Sequence, residues 1–308
     1  MHLSIPVVEG DQYRVGEVTM EGLTVFKPEA LLPIFKLQGD DVYRESRIKK
    51  GFEKLRDLYG SQGYFQFTGF PQRKPDPERK VVDVALTLEE DKQYYIGRIR
   101  FTGNESTRDK VIRREIYMNE GEVFNTEALK MSVKRINQLG YFKPMEGAPD
   151  FALTEGKDDH LDITFKVEEQ NRNQFTFGGG VSGLEGTFLN ASFSTANFLG
   201  LGETLQLALQ TGKRTKNYQL AVTEPYLFDR PITGGFDLFK RKLIVESYGL
   251  FQGYQDDRTG VSVTSGLPVT RFSRVFANYA FEVVTISELP EDYQPTLPEG
   301  TELVQYYD

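Results

Sequence analysis

The two halves of the chain differ in how their apolar residues are spaced. In the first half, short alternating stretches are interleaved with stretches in which apolar residues recur at three- and four-residue steps, as at Ile48, Phe52 and Leu55. From Gln174–Gly183 onward this helical spacing disappears, and one segment after another alternates apolar and polar residues. The pattern predicts an α+β first half and an all-β second half that begins at this segment.

The first half contains one unit twice. Tyr13–Gly22 aligns without a gap with Tyr94–Gly103, and each of these alternating stretches stops at a glycine, as a short strand does. In both copies a short helix, a longer helix and further strands are predicted to follow, which gives a β-α-α-β-β unit in tandem. The predicted helices are Pro28–Phe35, Ser46–Gly60, Thr107–Ile116 and Thr126–Leu139, and the predicted closing strands are Val82–Glu90 and Leu161–Glu169.

Local signals add detail to these units. Ser106 or Thr107 is predicted to cap the short helix of the second copy, with Asp109 in its first turn. Pro71–Lys80 is rich in proline and charge and is predicted to be a loop. Leu3–Val8 alternates weakly, so it is interpreted either as the end of a preceding unit or as a disordered tag. The expected domains are residues 1–11, 12–92, 93–170 and 171–308.

The second half is predicted to contain seven strands with one apolar and one polar face each. Such strands suit a soluble sandwich, in which the apolar face packs on another sheet, or a membrane β-barrel, in which it meets lipid. The sequence has no run of about 18 apolar residues, so no transmembrane helix is predicted. A membrane barrel of one bacterial chain has an even number of strands, so for a barrel the odd number here predicts a truncated C-terminal end. The predicted strands are Phe175–Val181, Thr187–Ala196, Thr204–Gln210, Tyr218–Thr223, Ile232–Lys242, Asp257–Leu267 and Val275–Ile286.

Composition argues against several classes of function. The net charge of −8 provides no basic field to gather phosphates, so no nucleic-acid partner is expected. With no cysteine and two histidines, thiolate and histidine-based metal or catalytic sites are poorly supplied. Gly178–Gly183 fits the dinucleotide pattern G-x-G-x-x-G formally, but a strand rather than a helix is predicted after it. Without a hydrolase or zinc-protease motif, we expect a protein that is not an enzyme and uses no cofactor.

Seven stretches carry a resemblance to a known family: Glu9–Tyr13, Ile99–Asn104, Arg113–Ile116, Glu120-Gly121, Leu139–Phe142, Asn197–Gly202 and Thr223–Tyr226. The chain resembles the BamA family of outer-membrane protein assembly factors, from the last two polypeptide-transport-associated (POTRA) modules into the front of the barrel. The resemblance runs from Leu3 to about Ile286. The N-terminus lacks the basic and apolar regions of a signal peptide, so the chain is expected to be a fragment.

The resemblance implies a fold, a location and a function. It implies tandem α+β POTRA modules in the periplasm, followed by the first strands of an incomplete antiparallel transmembrane β-barrel in the bacterial outer membrane. The implied function is the assembly and insertion of unfolded outer-membrane protein precursors, which POTRA edge strands bind, with outer-membrane lipid and the lipoproteins of an assembly complex as further partners. A polypeptide transport pore of the related two-partner secretion family is the alternative.

The family also sorts the connections between the strands. Asn197–Glu203, Glu224–Pro231 and Leu267–Arg274 are implied to be periplasmic turns. The implied outer loops are Gly183–Gly186, Gly212–Asn217, Ile244–Gln255 and the tail after Ser287.

Two groups of residues are candidates for function. Three consecutive glycines weaken the first predicted barrel strand, and the family's proposed mechanism uses a first strand that pairs with an incoming strand at a lateral seam. The alternative is that these glycines accommodate crowding in the barrel wall. In the second module, three charges on the predicted short helix are candidates for a lipoprotein contact, or else form a solvated face. The seam residues are Phe175, Thr176, Phe177, Gly178, Gly179, Gly180 and Val181, and the contact residues are Arg113, Arg114 and Glu115.

Overall fold

The repeated unit of the first half folds in the predicted β-α-α-β-β order in both copies. The computed structural model describes residues 10–37, 41–183, 186–245, 253–270 and 273–287, and the chain divides into two units, Met1–Gln170 and Asn171–Asp308. The first module contains β1 (Arg14–Glu21), α1 (Pro28–Leu31), a 3-10 helix (Leu32–Phe35), α2 (Glu45–Ser61), β2 (Thr68–Asp76) and β3 (Val81–Glu89). The second module contains β4 (Tyr95–Thr102), α3 (Asp109–Arg113), α4 (Thr126–Leu139), β5 (Asp150–Leu153) and β6 (His160–Lys166).

The closing strand lies in the middle of a three-stranded sheet in each module, in the orders β1-β3-β2 and β4-β6-β5. It runs parallel to the first strand of its module, β1 or β4, and antiparallel to the strand on its other side, β2 or β5. Every second residue of β3 from Val82 to Leu88 is buried, and these side chains form one core with Ile48, Leu55 and Tyr59 of α2. The predicted alternation and the predicted helical spacing thus meet in a single core.

A glycine produces the same irregularity in both modules. The register of the parallel pair shifts at Gly16 in β1 and at Gly97 in β4. A Cβ atom at Gly97 would lie 2.3 Å from Asp162 Oδ1 on the closing strand. Asp162 instead accepts a hydrogen bond from the backbone N–H of Arg98, at 2.8 Å. In both modules, the absence of a side chain at the aligned glycine leaves space for an aspartate of the closing strand. That aspartate accepts a hydrogen bond from the backbone N–H of the next residue in the bulge, Glu17 or Arg98.

The start of the short helix in the second module differs from the prediction. No side chain caps α3, and Arg108 occupies the N-cap position. Ser106 and Thr107 instead donate hydrogen bonds to Glu169, which follows β6, and the Thr107 N–H lies 2.6 Å from that carboxylate. A residue distant in sequence therefore satisfies the donors that the predicted cap would have served. Asp109 does lie in the first turn.

The segment Pro71–Lys80 was predicted to be a loop, and this is wrong for its first part. β2 continues through Asp76, paired with β3, and only residues 77–80 form the turn. β2 is an edge strand, so Pro71 and Pro75 can turn the positions of their missing N–H groups away from β3. The edge position explains how this composition is compatible with a strand.

The two modules contact each other through α2 and the segment that follows it. The ring of Phe65 packs against Phe124 and Phe151 of the second module, with centroid distances of 5.1 and 4.7 Å. Lys130 of α4 forms an ion pair of 2.6 Å with Asp57 of α2. A half-buried aromatic side chain of one module therefore packs against residues of the next.

The described residues of the second unit form one antiparallel sheet of seven strands, which pair in the order of the chain. This number of strands agrees with the prediction. The strands are β7 (Gln174–Ser182), β8 (Gly186–Phe198), β9 (Glu203–Thr211), β10 (Thr215–Glu224), β11 (Thr233–Val245), β12 (Tyr254–Pro268) and β13 (Arg274–Ser287).

The register gives this sheet two distinct faces. On the face that we call the apolar face, one row of directly opposite residues crosses all seven strands: Phe175, Phe193, Leu207, Leu220, Leu238, Val261 and Phe281. On the other side, the polar face, the adjacent row is Thr176, Ser192, Ala208, Gln219, Phe239, Gly260 and Glu282. Many apolar side chains of the first face are exposed, including Phe175 and Phe281. Such a pattern is typical of strands whose outer face meets lipid.

Among the described residues, no helix is both long and apolar enough to span a membrane. The implied turn Asn197–Glu203 joins β8 to β9, and Glu224–Pro231 joins β10 to β11 through a short 3-10 helix, Leu227–Asp229. Other predictions lie wholly or partly outside the described residues: Leu3–Val8, Gly183–Gly186, Ile244–Gln255, Leu267–Arg274 and the tail after Ser287.

Candidate functional site

The predicted seam strand, β7, forms one edge of the seven-stranded sheet. It pairs antiparallel with β8 from Gln174, opposite Ser194, to Ser182, opposite Gly186. Within the described ranges, no strand pairs with its other side. A strand of nine residues therefore presents backbone N–H and C=O groups to which another strand can bond.

The two faces of β7 differ in character. Phe175, Phe177 and Val181 point to the apolar face and are exposed by 77, 80 and 80 %. The ring of Phe175 contacts that of Phe193 on β8, with a centroid distance of 4.6 Å. Thr176 lies on the polar face. An incoming strand with the alternation of a membrane strand would continue both faces.

Each glycine of the triplet lies beside a side chain of β8. Gly178, Gly179 and Gly180 are directly opposite Asn190, Leu189 and Phe188. A Cβ atom at Gly178 would lie 2.6 Å from Asn190 Oδ1, and one at Gly179 would lie 2.9 Å from the Phe188 carbonyl oxygen. At Gly180 the nearest atoms are ring carbons of Phe188, at 3.2 and 3.3 Å. The triplet thus combines low side-chain content with close approach of the neighbouring strand.

Glycine opposite phenylalanine recurs on the polar face. Three directly opposite pairs have this composition: Gly180 with Phe188, Gly260 with Phe239, and Gly266 with Phe276. In each pair a ring atom of the phenylalanine lies within 3.2 Å of the ideal Cβ position of the glycine. The ring covers backbone that glycine leaves bare, an arrangement known to stabilise glycine in strands. Sequence reasoning missed these pairs because each joins residues of different strands.

The free edges of the two POTRA-like sheets are not equivalent. β2 carries Pro71 and Pro75, which remove two donors from its edge. On β4, Ile99 is already bonded at its edge, because its N–H donates to Glu120 Oε1 at 2.9 Å and its carbonyl accepts from Arg113 Nη2 at 3.0 Å. β5 is a four-residue edge strand without proline. It is therefore the less protected edge of the second module.

The three charges predicted to lie together on one helix have different environments. α3 ends at Arg113, and Arg114 is its C-cap, so Glu115 lies beyond the helix. The Glu115 N–H bonds Ile112 O at 2.9 Å, which tightens the chain into a turn. Glu115 is 4 % exposed and forms an ion pair of 3.0 Å with Arg135 of α4.

Arg113 remains at the surface. Its side chain is 45 % exposed and lies over the ring of Phe101, 5.2 Å from the centroid. It also forms an ion pair of 3.1 Å with Asp109. Of the three predicted contact residues, Arg113 is the exposed one, Arg114 is half-buried and Glu115 is buried.

In each module, one glutamate holds the loop after the first strand by accepting hydrogen bonds from its backbone N–H groups. This role was not predicted from the sequence. Glu90 is 5 % exposed and accepts hydrogen bonds from the N–H groups of Thr24 and Val25, at 2.6 and 3.0 Å. The hydroxyls of Thr24 and Tyr59 also donate to it. Glu169 accepts the equivalent bonds in the second module. The signal was visible, since both predicted closing strands end in Glu-Glu.

These bonds set the protonation of both glutamates. Burial alone raises the pKa of Glu90, but the hydrogen bonds from Thr24, Tyr59 and the Val25 N–H outweigh it, so the pKa lies below its usual value. Burial and hydrogen bonds from Ser106 and Thr107 act in the same opposed way on Glu169, and its pKa is also lowered. Both carboxylates are therefore held in the charged form that accepts from the loop.

The comparison with protein families identifies both halves of the chain. Residues 13–91 and 94–170 each match the POTRA family, described as a surface antigen variable number repeat. Residues 197–297 match the Omp85 superfamily domain. The two POTRA matches correspond to the two modules, and the Omp85 match covers most of the seven-stranded sheet.

Curated relatives carry related names. The outer membrane protein assembly factor BamA of Neisseria meningitidis is 27% identical over 287 residues, which are 92% of this chain and 36% of that protein. A putative outer membrane protein assembly factor of Treponema pallidum is 30% identical over 76% of this chain and 28% of its own length. The chain thus spans about a third of the length of these relatives.

A solved structure has the same fold. The crystal structure of BamA from Haemophilus ducreyi lacking POTRA domains 1–3 superposes with a TM-score of 0.79 at 24% sequence identity. The match covers 91% of this chain and 53% of that one. The order of two modules followed by antiparallel strands is therefore an architecture found in a crystal.

Proposed function

The chain belongs to the BamA family of POTRA and Omp85 proteins, and we propose that it assembles β-barrel proteins into the outer membrane by pairing the free edge of β7 with a strand of the incoming protein. As in its relatives, the POTRA modules lie in the periplasm and the strands of the second unit lie in the bacterial outer membrane. The assembly needs no catalytic centre and no cofactor, because main-chain hydrogen bonds supply the affinity.

One observation carries this proposal: β7 is an edge strand with a glycine triplet. Glycines lower the stability of a strand because they cost backbone entropy and contribute no side chain to pack. A closing strand paired to such an edge is held weakly and can be exchanged for a strand of the client. Close approach of β8 also favours glycine at 178 and 179, because a Cβ atom at either position would lie within 3 Å of β8. Crowding and weak strand pairing therefore both favour glycine at these two positions.

The POTRA modules contribute a first binding step. We propose that unfolded precursors pair with the edge of β5 in the second module. The N–H and the carbonyl of Ile99 on β4 are already hydrogen-bonded within the module, and two prolines interrupt β2. A short edge gives weak and reversible pairing, which suits a client that must be passed on.

A lipoprotein partner is proposed at the second module. Arg113 is the exposed charge of the three predicted contact residues. Glu115 supports the surface from within, since its ion pair with Arg135 joins the turn after α3 to α4.

The edge-pairing mechanism is tested by disulfide trapping. The chain has no cysteine, so one introduced thiol is unique within it. Thr176→Cys places a thiol on β7, and Ser262→Cys places the control thiol on the same face of β12, between two neighbouring strands. A stalled outer-membrane precursor with a cysteine in its terminal strand is expected to form an adduct with Thr176→Cys. Directly opposite residues of paired strands have Cβ atoms about 4.5–5.5 Å apart, close to the spacing of about 3.5–4.5 Å that a disulfide requires.

The control decides the result. Adducts of equal yield at both positions, or an adduct at Ser262→Cys alone, would contradict strand pairing at β7.

A further inference from the structure

Three lysines interrupt the apolar face at one end of the sheet. Lys216 on β10 is directly opposite Lys242 on β11, and Lys240 is directly opposite Tyr218. Like charges in directly opposite positions destabilise a strand pair. An anion from outside the chain that binds between these ammonium groups would relieve that repulsion.

The protein itself supplies little negative charge at this place. Asp257 lies directly opposite Lys242, but its carboxylate accepts a hydrogen bond of 2.6 Å from the Gln255 amide. Within the described ranges, neither Asp257 nor another acidic residue forms an ion pair with Lys216, Lys240 or Lys242. The cluster therefore carries an excess of positive charge.

The lysines lie where the apolar face ends. Successive rows along the strands are separated by two residues, or about 7 Å. The first row is apolar in β9 to β13, the second contains Lys240, and the third contains Lys216 and Lys242. A lysine at such a border extends its ammonium group toward the lipid headgroups while its stem covers apolar surface.

Chain order places this border in the outer leaflet. β7 starts at Gln174, four residues after the end of the last POTRA match at Gln170, so Gln174 marks the periplasmic end of the sheet. Because neighbouring strands are antiparallel, the start of β10 and the end of β11 lie at the opposite end. The headgroups that meet these lysines are those of the outer leaflet.

The cluster also has the shape and the donors for a phosphate group. A groove of ≈ 500 Å³ is lined by the three lysines together with Tyr218, Asp257, Thr259, Val283 and Thr285, so three positive charges face one carboxylate there. Lysine binds phosphate as a compact point charge with three donors, and each threonine hydroxyl can donate one further hydrogen bond.

We propose that this lysine cluster binds the phosphate of an anionic lipid headgroup in the outer leaflet. The proposal rests on the membrane placement of the sheet and not on strand pairing with clients. A lipid held at β10 and β11 would fix the depth of the sheet in the bilayer at a place away from both edge strands.

The test uses the full-length protein in phosphatidylcholine nanodiscs titrated with phosphatidic acid, with bound lipid counted by native mass spectrometry. Each lysine near a charged membrane surface contributes about 1 kcal/mol, so Lys242→Gln is expected to weaken the apparent affinity about fivefold. The double variant Lys216→Gln/Lys242→Gln is expected to weaken it about thirtyfold. Arg241→Gln is the matched control, because Arg241 is adjacent in β11 and lies on the polar face.

Two comparisons keep the outcome unambiguous. The variant Lys216→Arg/Lys242→Arg keeps the charge and is expected to retain binding, which separates loss of charge from loss of folding. The proposal is overturned if Arg241→Gln weakens binding as much as Lys242→Gln, or if neither does. It is also overturned if inorganic phosphate at the same concentration displaces the lipid, since the site would then take a soluble anion. Client assembly is not part of this readout, so a negative result leaves the edge-pairing proposal intact.

Discussion

The phenyl ring of Phe188 lies across Gly180, its directly opposite partner on β7, with two ring carbons 3.2 and 3.3 Å from the ideal Cβ position. The edge strand thus gains apolar contact from its neighbour at a position where it has no side chain of its own. The same arrangement at Gly260 and Gly266 shows that the polar face uses it repeatedly. Among the described strands β7 pairs only with β8, so at this edge the ring of Phe188 supplies cross-strand side-chain packing that Gly180 itself cannot provide.

The glycines of β7 are expected to differ in their tolerance of a methyl group. Gly179→Ala is expected to destabilise the sheet by about 1–3 kcal/mol, because its Cβ would lie 2.9 Å from the Phe188 carbonyl oxygen and backbone cannot easily move. Gly178→Ala should cost less, because the nearest atom belongs to the Asn190 side chain. The thermal unfolding midpoint in detergent measures the difference. A larger loss for Gly178→Ala would mean that backbone crowding does not determine the glycine at 179.

Glu90 is expected to make the first module sensitive to acid. Because hydrogen bonds lower its folded-state pKa, the stabilisation is fully present above the ordinary glutamate pKa of about 4.3 and is lost as the pH falls below that value toward the lowered pKa. Glu90→Gln should therefore cost about 1–3 kcal/mol at pH 6, and wild type and variant should converge in strong acid.

Urea unfolding of the module, followed by pulse proteolysis at several pH values, measures this effect. Glu89→Gln is the control, because the neighbouring Glu89 is exposed. A wild-type advantage that grows as the pH falls would have the opposite sign to the one expected and would exclude the charged Glu90 as the stabilising form.

Arg113 and Glu115 are expected to give different phenotypes. Glu115→Gln removes the charged partner of Arg135 and should lower the stability of the second module by about 1–3 kcal/mol, because the buried Glu115 side chain loses its ion pair while the Arg135 side chain, 33 % exposed, keeps access to water. Arg113→Gln should leave the module folded and reduce co-purification of the proposed lipoprotein partner.

Arg108→Gln serves as the control for Arg113, since Arg108 is an exposed arginine immediately before α3. Equal co-purification of the partner with wild type, Arg113→Gln and Arg108→Gln would rule out this surface as the contact.

Phe65 is expected to hold the two POTRA modules in one arrangement. Its ring contacts Phe124 and Phe151 of the second module, so Phe65→Ala should remove up to about 2 kcal/mol of apolar contact between them. Spin labels on α2 and α4 should show a broader distance distribution. Phe70→Ala, at an exposed position of β2 in the same module, should leave the distribution unchanged, and an equal broadening there would contradict a specific role for Phe65.

Much of the architecture was predictable because it depends on local periodicity. The long helices were predicted to within one residue, as Ser46–Gly60 against Glu45–Ser61 and as Thr126–Leu139 in full. Strand alternation of period two placed seven strands, and the repeat placed two modules. The wrong predictions were the caps Ser106 and Thr107, the loop at Pro71–Lys80 and the shared helix of Arg113 to Glu115. Each of these positions has contacts with residues distant in sequence. Ser106 and Thr107 donate to Glu169, β2 pairs with β3 through Asp76, and Glu115 forms an ion pair with Arg135.

The sequence by itself determined which residues share a face, since side-chain direction follows from the period of the element. Only the tertiary structure decided which residues are opposite one another across strands, and therefore which edges are free. It decided that Gly179 meets the Phe188 carbonyl and that Lys216 meets Lys242. It also decided that β7 is an edge. These relationships join residues that lie far apart along the chain, and register is fixed by the sum of such contacts rather than by any one segment.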